Sequence, residues 1–479
     1  MKNNKSITIE LELDAMAYEG VAIGREGGKV FFIKNGVPGD KVKALITKSK
    51  KSFAEGFVSE ILEASPYRIQ PKCKYFGICG GCSWQNMSYN EQIKWKSTNV
   101  KDSFERIGKF SDFEMKNIIG SDWEFQFRNK MEFSFGASRW LTEEEINSGI
   151  EIENKNFGLG LHPAGRFDKI IDLDYCKIQN DYANEILAEV KEYALRLSLS
   201  AYNVRTHEGF LRNLIIRHSF TNNNFLVIII TNNIKSEQEK SFIDLFKNQL
   251  VSKFDKIISV VHGINDSNNP VKLNSSELLF GCDFLEEKIL DINFKISPFS
   301  FFQTNSTQLN KFIGEIVETA SIGKSDIVWD LFCGAGSITL PAAKFAKEVI
   351  GIELSQSSIN DANQNAKLNN ITNVSFLTAD LNNKNVADAM KSLPVPDIII
   401  LDPPRAGLSN HLINYINGLG VKKLVYVSCN PPTQARDCNL LSSNYNLLSI
   451  QPVDMFPQTY HIENISLLEL KDKVYENQQ

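Results

Sequence analysis

No apolar run in this chain approaches the ~18 to 20 residues needed to cross a bilayer, and the opening MKNNKSITIELEL puts charges where a secretory leader would carry its apolar core. A cytoplasmic protein is expected. Cysteine is scarce: eight thiols in 479 residues are too few to staple so long a chain, so in a reducing compartment they point to metal ligation, catalysis or packing. Low-complexity tracts are missing, and the formal net charge is only -5. These absences argue against a membrane span, a disulfide scaffold and a basic surface over the whole chain.

What is present is an ordinary globular composition, 42% hydrophobic and 23% charged, over a length that calls for two or three cores. Residues 1–64 alternate Ile, Leu, Val and Phe with turns at Glu19-Gly20, Gly27-Gly28, Asn35-Gly36 and Pro38-Gly39. That pattern predicts a small closed β-barrel of the OB type, a shape that often binds oligonucleotides on one face. Residues 65–295 read as an α+β domain. Pro66 and Pro71 lead into the cysteine-rich CKYFGICGGCSW, followed by a helix near 88–110 with Ile93, Val100, Phe104 and Ile107 at helical spacing, placed to pack on the domain that follows. The β-rich runs NKMEFSFG, NLIIRHSF and NFLVIIITNN come next. From 296 to 479, short apolar runs (DIVWDLF, EVIGIEL, VSFLTAD, PDIIILD, KKLVYVS) alternate with helical stretches. This predicts a Rossmann-like α/β domain with a parallel sheet, which binds ligands at the carboxyl ends of its strands. Two basic stretches stand out against the acidic total: KVKALITKSKK from Lys41 to Lys51, and RTHEGFLRNLIIR from Arg205 to Arg217.

In DLFCGAGSITLP, Gly334 and Gly336 make a tight turn where a side chain would block a ligand's approach to the backbone. Glu353, ending the next strand 19 residues after Gly334, is placed to accept both hydroxyls of a ribose. The third glycine of the dinucleotide fingerprint is missing, which turns the reading toward a nucleoside without pyrophosphate, S-adenosylmethionine first among them. Asp380, ending the third strand, is placed to meet an adenine amino group.

The fourth strand ends in LDPPRAG and the fifth in SCNPPT. Either Pro-Pro turn suits an enzyme that methylates an exocyclic amine, with Asp402 or Asn430 accepting the amine's hydrogens. Cys429 opens another chemistry. Carbon 5 of a pyrimidine is a poor nucleophile until a thiolate adds at carbon 6, and a base must afterwards take the carbon 5 proton. DMFPQTYHIENISLLEL offers His461 and Glu463, and a carboxylate there fits the base.

Cys73, Cys79 and Cys82 form a Cys-x5-Cys-x2-Cys triplet, and Cys176 follows in DYCKIQ. Such spacing lets the thiolates converge with a remote fourth on one centre. Spacing alone leaves a structural zinc and an iron-sulfur cluster both open, although zinc more often shows paired Cys-x2-Cys. Cys282, Cys333 and Cys438 have no comparable partners and read as packing residues.

The ordered set FFQTN (301–305), DLFCGAG, LDPPRAG, VSCNPPT followed by RD, and MFPQTYHIE resembles the RNA uridine-5-methyltransferase family over nearly the whole chain. The resemblance implies that Cys429 is the nucleophile and Glu463 the base, and that Gln303, Phe332, Glu353, Asp380 and Asp402 surround the methyl donor or orient the target base. It implies that the barrel is the family's TRAM domain, which delivers an RNA loop to the site, and that the uridine is flipped out for reaction. Similarity to the ribosomal-RNA branch implies a 4Fe-4S cluster on Cys73, Cys79, Cys82 and Cys176, 23S ribosomal RNA as substrate and a monomer that needs no protein partner. Transfer RNA as substrate, an amine methyltransferase and a non-catalytic RNA-binding factor are the competing expectations.

Overall fold

A computed structural model describes residues 7–270 and 272–472; residues 1–6, 271 and 473–479, which include both ends of the expected domain ranges, lie outside the described residues. The N-terminal strands Ile7–Met16, Ala22–Glu26, Lys29–Lys34, Lys41–Ser49 and Phe53–Glu63 close into one barrel, with the third strand pairing parallel to the fifth. Alternation along each strand sends Leu11, Leu13, Phe31, Ile33, Val42 and Ala54 inward, and Trp84 and Met87 from beyond the barrel complete its core. The lysine run is not a free basic patch. Its strand lies against an acidic neighbour, so Lys41, Lys43 and Lys48 pair across to Glu63, Glu60 and Glu55.

A seven-stranded mixed sheet follows, with Leu211–Ser219 and Asn224–Thr231 at its centre. Helices Asp181–Arg196 and Glu237–Leu245 contribute Ile186, Val190 and Phe242 to the core on one of its faces. Arg212 and Arg217, which the sequence groups into a basic stretch, are buried in the first of these strands, leaving Arg205 exposed.

The C-terminal sheet has eight strands in the order Val374–Thr378, Glu348–Glu353, Ile327–Leu331, Ile398–Leu401, Lys423–Ser428, Glu463–Leu470, Tyr445–Val453 and Glu114–Met115. The first five are parallel and Glu463–Leu470 runs antiparallel to both its neighbours. Chain order reverses between Ile327–Leu331 and Ile398–Leu401, which opens a ligand crevice at their carboxyl ends. Two segments before residue 296 pack on this sheet: the edge strand Glu114–Met115 and the hairpin Leu285–Ile289/Ile292–Ile296, whose Ile289, Phe294 and Ile296 enter the same core as the helix Ser306–Ala320. Among the described residues no helix is long and apolar enough to cross a membrane.

The helix Tyr89–Asp102, continued by one wider turn over Ser103–Ile107, departs from its apolar pattern: Val100 and Phe104 are buried but Ile107 is exposed. The rest of its buried face is polar, because it grips the loop before the last strand. Lys96 Nζ donates to Asp454 Oδ1 at 2.7 Å with both side chains 0% exposed, and also to the Phe456 carbonyl at 2.9 Å. Tyr89 donates its hydroxyl to Asp454 Oδ2 (2.9 Å), and Gln92 exchanges two hydrogen bonds with Gln458. Removing one member of such a pair strands the other in the core. Lys96→Met is expected to cost about 3 to 5 kcal/mol in denaturant unfolding, and Lys96→Met with Asp454→Leu less than the sum of the single changes. Additive losses would show that the pair is not coupled.

Candidate active site

Strand Ile327–Leu331 carries its chain straight into a turn where Phe332, Gly334 and Gly336 all have positive φ (67°, 55° and 86°). A phenylalanine held in this region is strained, and the turn keeps it so because its amide and that of Cys333 both donate to the Ile352 carbonyl. Only a five-residue helix, Thr339–Ala343, follows, so the turn itself forms the floor of the crevice. Space is open where a Cβ would stand on Gly334. Glu353 accepts from the amides of Gly334 (3.3 Å) and Ser355 (2.9 Å), so its carboxylate is held at the turn. Asp380 is exposed, and its Oδ1 caps the amide of Asn382 at 2.9 Å.

Asp330, one strand position before the turn, was not singled out by the sequence. It is 0% exposed, its Oδ2 accepts from Thr339 at 2.5 Å, and its Oδ1 has no partner among the described residues. Burial pushes this carboxyl up to about 7. An open glycine turn beside a strand-end glutamate suits a nucleoside without pyrophosphate, as in S-adenosylmethionine.

At the next two strand ends the Pro-Pro turns are tied together: the Asn430 side-chain amide and the Thr433 hydroxyl both donate to the Arg405 carbonyl, at 2.9 and 3.1 Å. Cys429 lies just past strand Lys423–Ser428, half-buried, and Pro431-Pro432 begin the helix Pro431–Leu441 that follows. Burial, with Glu463 and Asp402 nearby, pushes its thiol up to about 11, and the positive charge of Arg405 opposes this. Asp402 is pushed up to about 7 by burial. Glu463, first residue of the last strand and 4% exposed, is raised well above the usual carboxyl range by burial and then by Asp402, while Arg405 acts the other way. His461 is pushed down to about 4 by burial and Arg405, whose guanidinium lies 3.3 Å from its Nδ1. It is therefore a neutral ring near pH 7. The Gln303 carbonyl accepts from the Asn129 side chain at 2.9 Å, which ties its segment to the central domain.

Arg405 is thus the cation that acts on both Cys429 and Glu463. It stood in LDPPRAG, and its position one residue beyond the Pro-Pro turn was the available signal. Tyr18 carried no signal at all. It reaches in from the barrel 411 positions away in sequence, and its hydroxyl donates to the Cys429 carbonyl at 3.4 Å. Its ring meets Tyr460 edge-on at 6.1 Å, and a Cβ on Gly20 would strike that same Tyr460 at 2.9 Å. From Tyr18 a groove of about 790 Å³ runs over the barrel, lined by Phe32, Phe53, Phe57 and Lys34. Aromatic faces beside a lysine suit unstacked bases and their phosphates.

Cys73, Cys79, Cys82 and Cys176 are free thiols that line one cavity of about 180 Å³, together with Arg128 and Gln85. Burial pushes Cys82 up to about 12 and Cys176 up to about 11, so as thiols they are neutral. Among the described residues no three Cys, His, Asp or Glu side chains are arranged to hold a metal ion. Cys333 and Cys438 are buried in the core of the C-terminal domain and its surroundings.

The sequence profile of the tRNA (Uracil-5-)-methyltransferase family matches residues 271–471, and that of the TRAM domain residues 3–58. An "Uncharacterized RNA methyltransferase" of Bacteroides thetaiotaomicron is 38% identical over 95% of this chain and 100% of its own. Another from Chlorobaculum tepidum is 36% identical over 98% of both chains. In fold, the chain is similar to the Pyrococcus abyssi tRNA (uracil-54, C5)-methyltransferase solved with S-adenosyl-L-homocysteine, with TM-score 0.71 and 24% identity over 96% of this chain and 100% of that one.

With the Cys429 thiol raised, its alkylation by iodoacetamide is expected to quicken about tenfold per pH unit between about pH 7 and 9. Arg405→Gln should slow it at fixed pH. A rate that levels off near pH 9 would show that burial leaves this thiol at its ordinary value.

Proposed function

The chain belongs to the RNA uracil-5-methyltransferase family, an S-adenosylmethionine-dependent enzyme family acting on RNA, and from that premise we propose that it methylates carbon 5 of a uridine in 23S ribosomal RNA through a covalent cysteine adduct. The observation that carries this reading is the grouping of Cys429, Arg405, Asp402 and Glu463 within one another's electrostatic reach at adjoining strand ends. An amine methyltransferase would have no use for the thiol.

In this reading, the Cys429 thiolate, stabilised by Arg405, forms a sulfur–carbon bond at carbon 6 of the uracil, and the carbon 5–carbon 6 double bond opens toward an enolate. S-adenosylmethionine supplies the methyl group that carbon 5 then takes. Glu463 removes the carbon 5 proton, a task suited to a carboxylate whose basicity burial has raised. The double bond re-forms as the carbon–sulfur bond breaks, which returns the electron pair to Cys429. Asp402, with an acidity near neutral, and Gln303 face the uracil edge in the proposal. Phe332, Glu353 and Asp380 surround the methyl donor in the proposal.

The four thiols of the cysteine knot are proposed to hold a 4Fe-4S cluster. A single zinc ion needs its sulfurs about 3.8 Å apart, as follows from Zn–S bonds near 2.3 Å in a tetrahedron. The four cysteines line one cavity here, and the Arg128 guanidinium beside Cys176 and Cys82 would offset the cluster's negative charge. Methylation requires no electron from it. The likeness of the whole chain to a transfer-RNA enzyme favours transfer RNA as the second substrate reading.

Mapping 5-methyluridine in cells with and without this protein is expected to show a mark lost from 23S ribosomal RNA; loss confined to transfer RNA would overturn the substrate. Cys429→Ala should abolish both turnover and adduct, whereas Glu463→Gln should accumulate an RNA adduct resolved by denaturing gel. Persistent methylation by the alanine variant would sink the covalent route. Isolated without oxygen, the protein is expected to be brown with about four irons per chain; zinc in their place would overturn the cluster.

A further inference from the structure

The basic stretch from Arg205 to Arg217 has no part in the chemistry above, yet one end of it lines the central domain's own groove. This groove has a volume of about 610 Å³ and shares no lining residue with the Cys429 pocket or the barrel groove. Its size is that of a site for one or two nucleotides rather than a surface dimple. One wall is the hairpin from His162 to Lys169, and the other is the turn carrying Tyr202 and Arg205.

We propose that this groove is a second binding site for single-stranded RNA, taking a base against Phe167 and the adjoining phosphate on Arg166 and Arg205. Phe167 is 74% exposed and lines this groove, which leaves its ring free for a base to stack on. Both arginines are aimed by one acid: Arg166 Nε and Nη2 bond the two Asp168 oxygens at 2.8 and 3.0 Å, and Arg205 Nη2 bonds Asp168 Oδ2 at 2.6 Å. The Asp168 side chain is only 8% exposed, whereas those of Arg166 and Arg205 are 47% and 72% exposed. The acid therefore works from beneath, fixing two guanidinium forks whose remaining N–H groups face solvent. Such a pre-set pair matches phosphate oxygens at little further ordering cost. Lys169 adds a third cation on the same wall, and beneath them Arg212 stacks 4.0 Å above the Tyr202 ring, giving the floor a planar cationic face.

The hairpin is not a free loop. Cys79 forms a backbone bridge with Pro163, the Gly80 amide donates to the His162 carbonyl at 3.2 Å, and the Ala164 amide donates to the Ile78 carbonyl at 3.0 Å. The cysteine-rich segment thus sets where Phe167 stands. A groove that combines an exposed aromatic, paired arginines and a rigid mount has the parts of a single-strand RNA subsite. The inference rests on RNA being the substrate, and it adds a contact away from the reacting uridine.

The test uses the full chain and a fluorescein-labelled 20-nucleotide oligouridylate, read by anisotropy, with a 4-thiouridine version for photo-cross-linking. Phe167→Ala is expected to weaken binding about tenfold, and Arg205→Ala to reduce the slope of log affinity against log salt by about 1. Cross-links should map to the peptide 162–169. The turnover number on total RNA at saturation should stay as in the unaltered protein, with the rise confined to KM. Unchanged affinity and salt slope in both variants, or cross-links confined to the barrel and the catalytic pocket, would overturn the groove while leaving the enzyme's function standing. Methylation lost in Cys429→Ala with RNA binding retained reports on the function alone.

Discussion

A single loop, Asp454 to Ile462, is where every part of this chain meets, and the buried Lys96–Asp454 ion pair at its start is the constraint on which the rest depends. A charge pair wholly removed from water is stable only while both partners and their remaining hydrogen bonds are in place. Here Tyr89, the Phe456 amide and the Phe456 carbonyl complete it. Gln458, at a φ of 66°, is held next by Gln92, and the amides of Ser83 and Trp84 both donate to its carbonyl at 3.0 Å. The Asn305 side chain bonds the Met455 carbonyl at 2.9 Å from the FFQTN segment. Tyr460 then takes the barrel's Tyr18 and Gly20. Three residues further on stands Glu463, so the clamp sets the position of the carboxyl that the proposed chemistry uses.

The cysteine-rich segment belongs to the same arrangement. Ser83 and Trp84 directly follow Cys82, and the Ser83 hydroxyl accepts from the Tyr460 amide at 3.1 Å. On the other side, Arg128 borders the thiol cavity while its neighbour Asn129 bonds Thr304 and Gln303. The cysteine-rich segment is therefore joined by hydrogen bonds to the loop that carries Tyr460, and the border of its cavity to the FFQTN segment.

Electrostatically the pocket is a set of acids raised by burial around one arginine. Asp330, Asp402, Glu463 and Cys429 all lose solvation, and all are held nearer neutrality than in water. Arg405 opposes that shift for Cys429 and Glu463, the two groups that must carry charge in the proposed reaction. For Asp402 that burial brings the proton close to its balance point near neutral pH, whereas for the Cys429 thiol it opposes ionisation, which leaves Arg405 to favour the thiolate.

Much of this was legible because it is local. Periods of two and of three to four in the apolar residues mark the barrel and the alternating sheet, and a parallel sheet sends its loops to one edge, so Asp402, Cys429 and the glycine turn were bound to share a side. Cys73, Cys79 and Cys82 likewise share a cavity because they are close in sequence, whereas Cys176 joins them there only through the fold. Tertiary structure alone decided the rest. The lysine run at 41–51 is largely cancelled by glutamates on the neighbouring strand, and Arg212 and Arg217 are buried, because a count of charges does not register what lies across a strand. The helix at 89–102 buries Gln92, Lys96 and Asn99 since its partner is a polar loop some 360 positions away. Tyr18 reaches Cys429 across 411 positions, a contact that no local pattern encodes because it exists only once barrel and sheet have docked.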